Sequence, residues 1–189
     1  PGTDGPPDVV AEHLRPLAVP VASLTPMPPE ENARAHGEED LRAIAESLLR
    51  FGQQTPVVFR GADGVVVAGN GTLLAIRDLI GAETVAAVPT TLEGDEAAGF
   101  AIADNRAGDL SVADDARLAR VVAGWGEDAG ELAKAAGIAD RRLAKLSEMV
   151  EAEARDAPPA EAWGFEVPVD AGDAVPRCTC PHCGARFVR

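Results

Sequence analysis

Three clusters in this 189-residue sequence contain residue types from which a binding or reactive site is built. The first is Gly69-Asn70-Gly71-Thr72, between the apolar run Val65–Ala68 and a helical apolar pattern beginning near Gly71. A strand that passes through a glycine turn straight into a helix leaves the first helical amides without intrahelical partners, and those amides favour an anion. Gly69 and Gly71 would let the backbone approach a phosphate without a side-chain clash, Asn70 tolerates left-handed dihedrals, and Thr72 offers a hydroxyl. The expectation is that the amides of Gly71–Leu73 face an open groove shared with Arg34. The plainer alternative is that GNGT only turns the chain and caps a helix, because short glycine motifs are weak signals by themselves.

The second cluster is Asn32, Arg34 and His36, with Glu30 and Glu31 just before them, in the turn-rich stretch TPMPPEENARAHG. Arg34 and His36 are either phosphate-facing or solvated loop residues. Glu30 and Glu31 are either a general base or, as exposed carboxylates more often are, solvent-facing acids. Asp104-Asn105-Arg106 reads most simply as a helix end that caps and pairs locally. The third cluster is Cys178, Cys180 and Cys183, the last two within CPxCGxxF, where two thiolates at that spacing grip one metal ion and glycine relieves the backbone. Zinc needs four ligands, so Cys178, His182 or a second chain would have to complete the set. The alternative is a reduced tail without metal.

Bulk composition limits what these clusters can do. Lys and Arg number 17 against 31 Asp and Glu, a net charge of −14, so strong autonomous binding to duplex DNA through general phosphate attraction is excluded. With no Tyr, five Phe and two Trp, the core must be aliphatic. Three cysteines crowded into residues 178–183 point to a metal knuckle in a reducing compartment rather than a disulfide framework, and hence to the cytoplasm. The apolar runs are too short to span a membrane, and the first seven residues do not open a signal sequence, so no export or anchoring is expected.

The elements that must position these residues follow from periodicity. Residues 1–16 read as a flexible lead-in, Leu17–Leu24 as a strand and Glu38–Phe51 as an amphipathic helix stopped by Gly52. Pro56–Arg60 and Val65–Ala68 form a hairpin around Gly61–Gly64, the helix beginning near Gly71 is mostly buried, Thr84–Val88 is a strand and Gly94–Asn105 a helix. Residues 111–153 form a helical annex with breaks at Gly124–Gly126 and Gly137, residues 154–176 a linker and 177–189 the cysteine tail. Within the annex, Glu131–Leu146 has the LAxxxGIxxxxL spacing of a helix-turn-helix that would bring Arg141, Arg142 and Lys145 to DNA. An ordinary αα-hairpin, with acidic flanks and few basic groups, is the simpler reading.

In order, Pro28 with Asn32, Arg34 and His36; Ser47 with Phe51, Gly52, Gln53 and Pro56; Ala68–Thr72 with Ala75; and Ala103-Asp104-Asn105-Arg106 resemble the ParB/sulfiredoxin superfamily. The resemblance spans residues 17–110 and is to ParB N-terminal-like domains, also called ParB-like nuclease domains, of the actinobacterial and phage type. It implies an α+β fold, a small mixed sheet with helices, and a groove in which Asn32, Arg34, His36 and Gly69–Thr72 meet a nucleotide: CTP, as in partition proteins, or ATP, with or without Mg2+. Two departures qualify it. Thr72 stands where partition proteins carry arginine, which puts partition-type CTP hydrolysis in doubt, and no cysteine sits where sulfiredoxins need one.

Two function classes follow. One is a nucleotide-binding, DNA-associated accessory protein, acting on DNA weakly or with a partner protein and as a homodimer; the other is a small ParB-fold enzyme, a nuclease or phosphotransferase. A carboxylate of Glu30 or Glu31 beside the glycine turn would favour the enzyme.

Overall fold

The computed structural model describes residues 7–32, 34–110, 114–156, 177–179 and 186–188. Helix α1 (Glu38–Phe51) opens with Glu38, Glu39 and Asp40, acids suited to the positive helix end. It buries Ala45 and Leu48, and Gly52, at φ 71°, ends it.

Strands β1 (Ala18–Pro20), β2 (Thr25–Pro26), β3 (Val57–Arg60), β4 (Val65–Ala68) and β5 (Thr84–Thr90) form one mixed sheet in the order β1-β5-β3-β4-β2. β5 runs antiparallel to β1 and parallel to β3, whereas β4 runs antiparallel to β3 and parallel to β2. Alternation along β4 sorts its side chains between two cores. Val66 joins Leu48, Val57, Leu73, Ile76 and Val85 on the face covered by α1 and by α2 (Asn70–Leu74), which continues through a wider helical segment, Ala75–Ile80. Val67 joins Met27, Ala97 and Ala101 under α3 (Gly94–Asp109). The expected α+β fold class is observed, and among the described residues the buried hydrophobic core consists of Val, Leu, Ile, Ala and Met, as the scarcity of aromatics requires.

Helices α4 (Asp115–Ala123), α5 (Ala129–Ala135) and α6 (Asp140–Asp156) follow. Asp114 caps α4 by accepting from the amides of Ala116 and Arg117. Ala119, Val122 and Leu146 make a separate small core with Trp125, Ile138 and Leu143 around it. One compact unit comprises Pro1–Ala152 and the other Glu153–Arg189. In the latter, β6 (Arg177–Thr179) and β7 (Arg186–Val188) pair antiparallel, with Cys178 opposite Phe187. Among the described residues no helix is long and apolar enough to cross a membrane.

Two expectations are corrected. The reading of residues 1–16 as a lead-in with no face to bury fails from Val9 onward: Val9, Val10 and Leu14 are buried, and Glu12–Leu17 is a 3-10 helix. The strand expected over Leu17–Leu24 pairs only at Ala18–Pro20; the Val21 amide still donates to the Glu83 carbonyl at 2.9 Å, and the chain then turns through Val21–Ser23.

What holds the early segment is Gln53, 1% exposed. Its amide donates to the Val9 carbonyl at 2.5 Å and its carbonyl accepts from the Ala11 amide at 3.3 Å. Its side-chain Oε1 accepts from the Ala86 amide at 2.7 Å, while Nε2 donates to the carbonyls of Ala86 at 2.9 Å and Thr55 at 3.0 Å. Gln53→Leu strands buried backbone groups on β5 and should destabilise the protein by about 3 kcal/mol, the upper range for an unsatisfied buried group. A urea midpoint equal to that of the unaltered protein would show that these bonds are replaceable.

Candidate functional site

Three chain segments converge on one cleft of about 180 Å³: the loop after β2 with Asn32, Arg34 and His36, the turn from β4 into α2 with Gly69–Thr72, and α3 with Asp104 and Asn105. Ile44 of α1, Val67 and Ala68 complete the lining. A larger cavity, about 240 Å³, lies among the annex helices, with Ser147 the one polar side chain among Ala, Val, Leu and Gly. It offers no charge or reactive group for chemistry.

The glycine turn is built differently from the sequence expectation. Gly69, not Asn70, takes the left-handed conformation, at φ 86°, and a Cβ there would lie 2.8 Å from Val57 Cγ1. Gly71 is also spent on packing. A Cβ on it would lie 2.7 Å from Ile44 Cδ1 and 2.8 Å from His36 Cε1. Asn70 is buried and acts as a tie: its Oδ1 accepts from the Met27 amide at 2.8 Å and its Nδ2 donates to the Val66 carbonyl at 3.1 Å. The carboxamide therefore joins the loop after β2 to the end of β4. The Leu73 amide, expected to face the groove, instead donates to the Gly69 carbonyl at 3.0 Å as the first helical bond. The amides of Asn70, Gly71 and Thr72 precede that bond.

On the opposite wall, Asn32 Oδ1 accepts from the Arg34 amide at 3.0 Å, a local turn that shapes the loop. Arg34 is exposed, and His36 is largely enclosed, its side chain 13% exposed, with Nδ1 and Asp40 Oδ2 2.5 Å apart. Glu30 and Glu31 do not line the cleft. Glu31 turns to Arg60 on β3 at 3.5 Å, and Arg60 also holds Asp63 at 2.8 Å. The Val65 amide and, next, Arg60 hold the Asp63 carboxyl below the usual carboxylate range.

The carboxylate that does line the cleft is Asp104. The expectation that Asp104-Asn105-Arg106 caps a helix end is corrected, since α3 continues to Asp109 and places these residues within the helix. Asp104 and Asn105 line the glycine-turn cleft, a placement the sequence reading missed because helical spacing alone does not reveal what a polar face meets.

In the annex, α5, the turn at Gly137 and α6 follow one another in an order common to a helix-turn-helix and an αα-hairpin. Arg142 is paired with Asp115 of α4 at 2.9 Å, while Arg141 and Lys145 are exposed on α6. Lys134 of α5 bridges to Glu46 of α1 at 2.9 Å, and that carboxylate raises the lysine's pKa. Among the described residues no group of three or more His, Cys, Asp or Glu is arranged to hold a metal. Cys178 lies in β6; Cys180, Cys183 and His182 lie outside the described residues.

Neither a protein-family model nor a curated protein matches the sequence. Among solved structures, the chain is similar to the C-terminally truncated chromosome-partitioning protein ParB from Caulobacter crescentus complexed with CTP-γ-S. The TM-score is 0.60 at 18% identity, covering 78% of this chain and 81% of that one. The fold is ParB-like. The same Caulobacter protein complexed to the centromeric parS site aligns with a TM-score of 0.39 at 18% identity, over 78% of this chain and 75% of that one.

Because Gly71 sits against both His36 and Ile44, Gly71→Ala should push the loop wall from α2 and cost about 1–3 kcal/mol of stability, as overpacking does. Thermal denaturation reads the loss. A variant as stable as the unaltered protein would mean that the His36 wall yields freely.

Proposed function

We propose that this chain is a nucleotide-binding, DNA-associated accessory protein, with its nucleotide's phosphates in the cleft between Arg34 and the Gly69–Thr72 turn. The observation that carries the reading is the convergence of Asn32, Arg34 and His36 on the first turn of α2, with Asp104 and Asn105 alongside. Helical amides and a guanidinium are a phosphate-binding set, and the similar Caulobacter protein was crystallised with CTP-γ-S. Thr72 and the backbone amides would contact phosphate, Asn32 and His36 would shape the wall, and a phosphate-bound Mg2+ would find one carboxylate on the lining, Asp104. The biological setting we favour is cytoplasmic and of the actinobacterial or phage ParB type, with a homodimer as the working form.

A second reading, a ParB-fold phosphotransferase or nuclease, is favoured by the same Asp104, because a carboxylate next to bound phosphate is what cation-assisted phosphoryl chemistry requires. Glu30 and Glu31 are not its best candidates, as neither lines the cleft. DNA contact is assigned to Arg141, Lys145 and, once released from Asp115, Arg142; with a net charge of −14 it is weak, salt-sensitive and in need of a partner.

Calorimetry with CTP, ATP, ADP and GTP, with and without Mg2+, tests the reading, and release of phosphate in the same mixtures separates binder from enzyme. Arg34→Ala should weaken the bound nucleotide by about 1.5–3 kcal/mol, the range of a charge-assisted hydrogen bond. Unchanged affinity would make Arg34 a bystander.

For the tail, we propose zinc held by Cys178, Cys180 and Cys183, completed by His182 or a second chain. The pairing of β6 with β7 supports it, since a hairpin brings together the two ends of the segment that contains CPxCG. Metal analysis of reduced protein purified without chelator should give about one zinc per one or two chains. Metal-free protein would leave the cysteines as plain thiols.

A further inference from the structure

We propose that His36 is a proton-coupled contact of the cleft: when a phosphate-type anion binds, His36 takes up a proton, so the site holds its anion more tightly in mildly acidic solution. This rests on the phosphate reading of the cleft and adds a property that reading does not contain.

The geometry is specific. Asp40, one turn into α1, engages Nδ1 at 2.5 Å, and the ring is 13% exposed and close enough to Gly71 that a methyl group there would collide with it. A carboxylate on Nδ1 fixes the tautomer and orientation of an imidazole, leaving Nε2 as the atom whose state can change. Neutral, that nitrogen accepts hydrogen bonds and repels an anion's oxygens. Protonated, it donates and brings a positive charge to a largely enclosed wall, where attraction is less screened than in water.

The charges around the ring set the balance. Asp40 of α1 engages Nδ1, Asp104 of α3 and Arg34 of the loop line the same cleft, and the first turn of α2 presents no ionisable side chain. An anion joins the side of the two carboxylates. The sign follows from linkage: the anion stabilises protonated His36, so the added affinity is complete at pH values where free His36 is already protonated. It is lost as pH rises and the bound protein releases that proton.

The test uses two probes on the full chain. Sulfate keeps one charge through this range, so proton uptake on binding it belongs to the protein, and NMR titration of the imidazole C–H signals, with His36→Gln assigning one of the three histidines, reads where it goes. Calorimetry with CTP and ATP in buffers of different ionisation enthalpy reads the same uptake for a nucleotide. The expected result is a His36 midpoint moved upward by either ligand and a nucleotide affinity falling about tenfold between about pH 6 and pH 8, the equivalent of one unit in pKa. His36→Gln should flatten the pH dependence of sulfate binding while still binding sulfate.

Nucleotide binding with an unmoved His36 midpoint would overturn the inference and leave the nucleotide reading intact. So would a pH dependence of sulfate binding retained in His36→Gln. A midpoint raised by sulfate, with no nucleotide bound at any pH, would support proton coupling and overturn the nucleotide reading instead.

Discussion

The fold depends on a side chain standing in for a stretch of backbone. β3 joins the ladder at Val57, paired with Ala87; just before it the chain is still turning out of α1, and the amide and carbonyl of Ala86 would lack a partner there. The carboxamide of Gln53 offers one donor and one acceptor, as a peptide unit does, and satisfies both groups of Ala86. The backbone of the same residue holds Val9 and Ala11. One buried residue thereby fastens the amino-terminal segment and the end of α1 to β5. Since α1 carries Asp40 and Ile44 to the cleft, the position of the His36 wall is inherited from this junction.

Much of the architecture was legible in the sequence. The spacing of Leu41, Ile44, Ala45 and Leu48 specifies α1, though Leu49, read with them, is 61% exposed, and the two short Val-rich runs around Gly61–Gly64 specify the β3–β4 hairpin, because in both cases burial of one face is written in a local period. The segment around Val9 was not legible. Its three buried residues, Val9, Val10 and Leu14, stand among Pro, Asp and Glu with no period, and the segment is tied through Val9 and Ala11 to the backbone of Gln53, more than forty positions along the chain. A non-local partner leaves no local trace. The carboxyl-terminal cysteines carry a spacing that metal ligands use, but Cys180 and Cys183 lie outside the described residues.

The cleft shows the same division. That Asn32, Arg34 and His36 meet the glycine turn was expected from the order of motifs, and they do line one cavity with it. The jobs of the individual residues were not legible. Both glycines are small because protein presses on them: Val57 against Gly69, and His36 with Ile44 against Gly71. Asn70 is occupied with Met27 and Val66 rather than with dihedral tolerance. A glycine motif records that space is short, not what fills it.

The walls of the cleft are anchored unequally, and this bears on how a ligand would be held. The α2 wall is fixed by Leu73, Ala75 and Ile76, all fully buried, and by the Asn70 tie. The α3 wall is fixed mainly through Ala97, Ala101 and Phe100, near the start of that helix, while Ile102 is 49% and Leu110 71% exposed. Asp104 and Asn105 thus project from a stretch with little apolar burial behind it, and local stability follows such burial. A ligand reaching across from the amides of α2 to Asp104 would touch the less deeply packed wall, whereas one that stopped at Arg34 and the glycine turn would not.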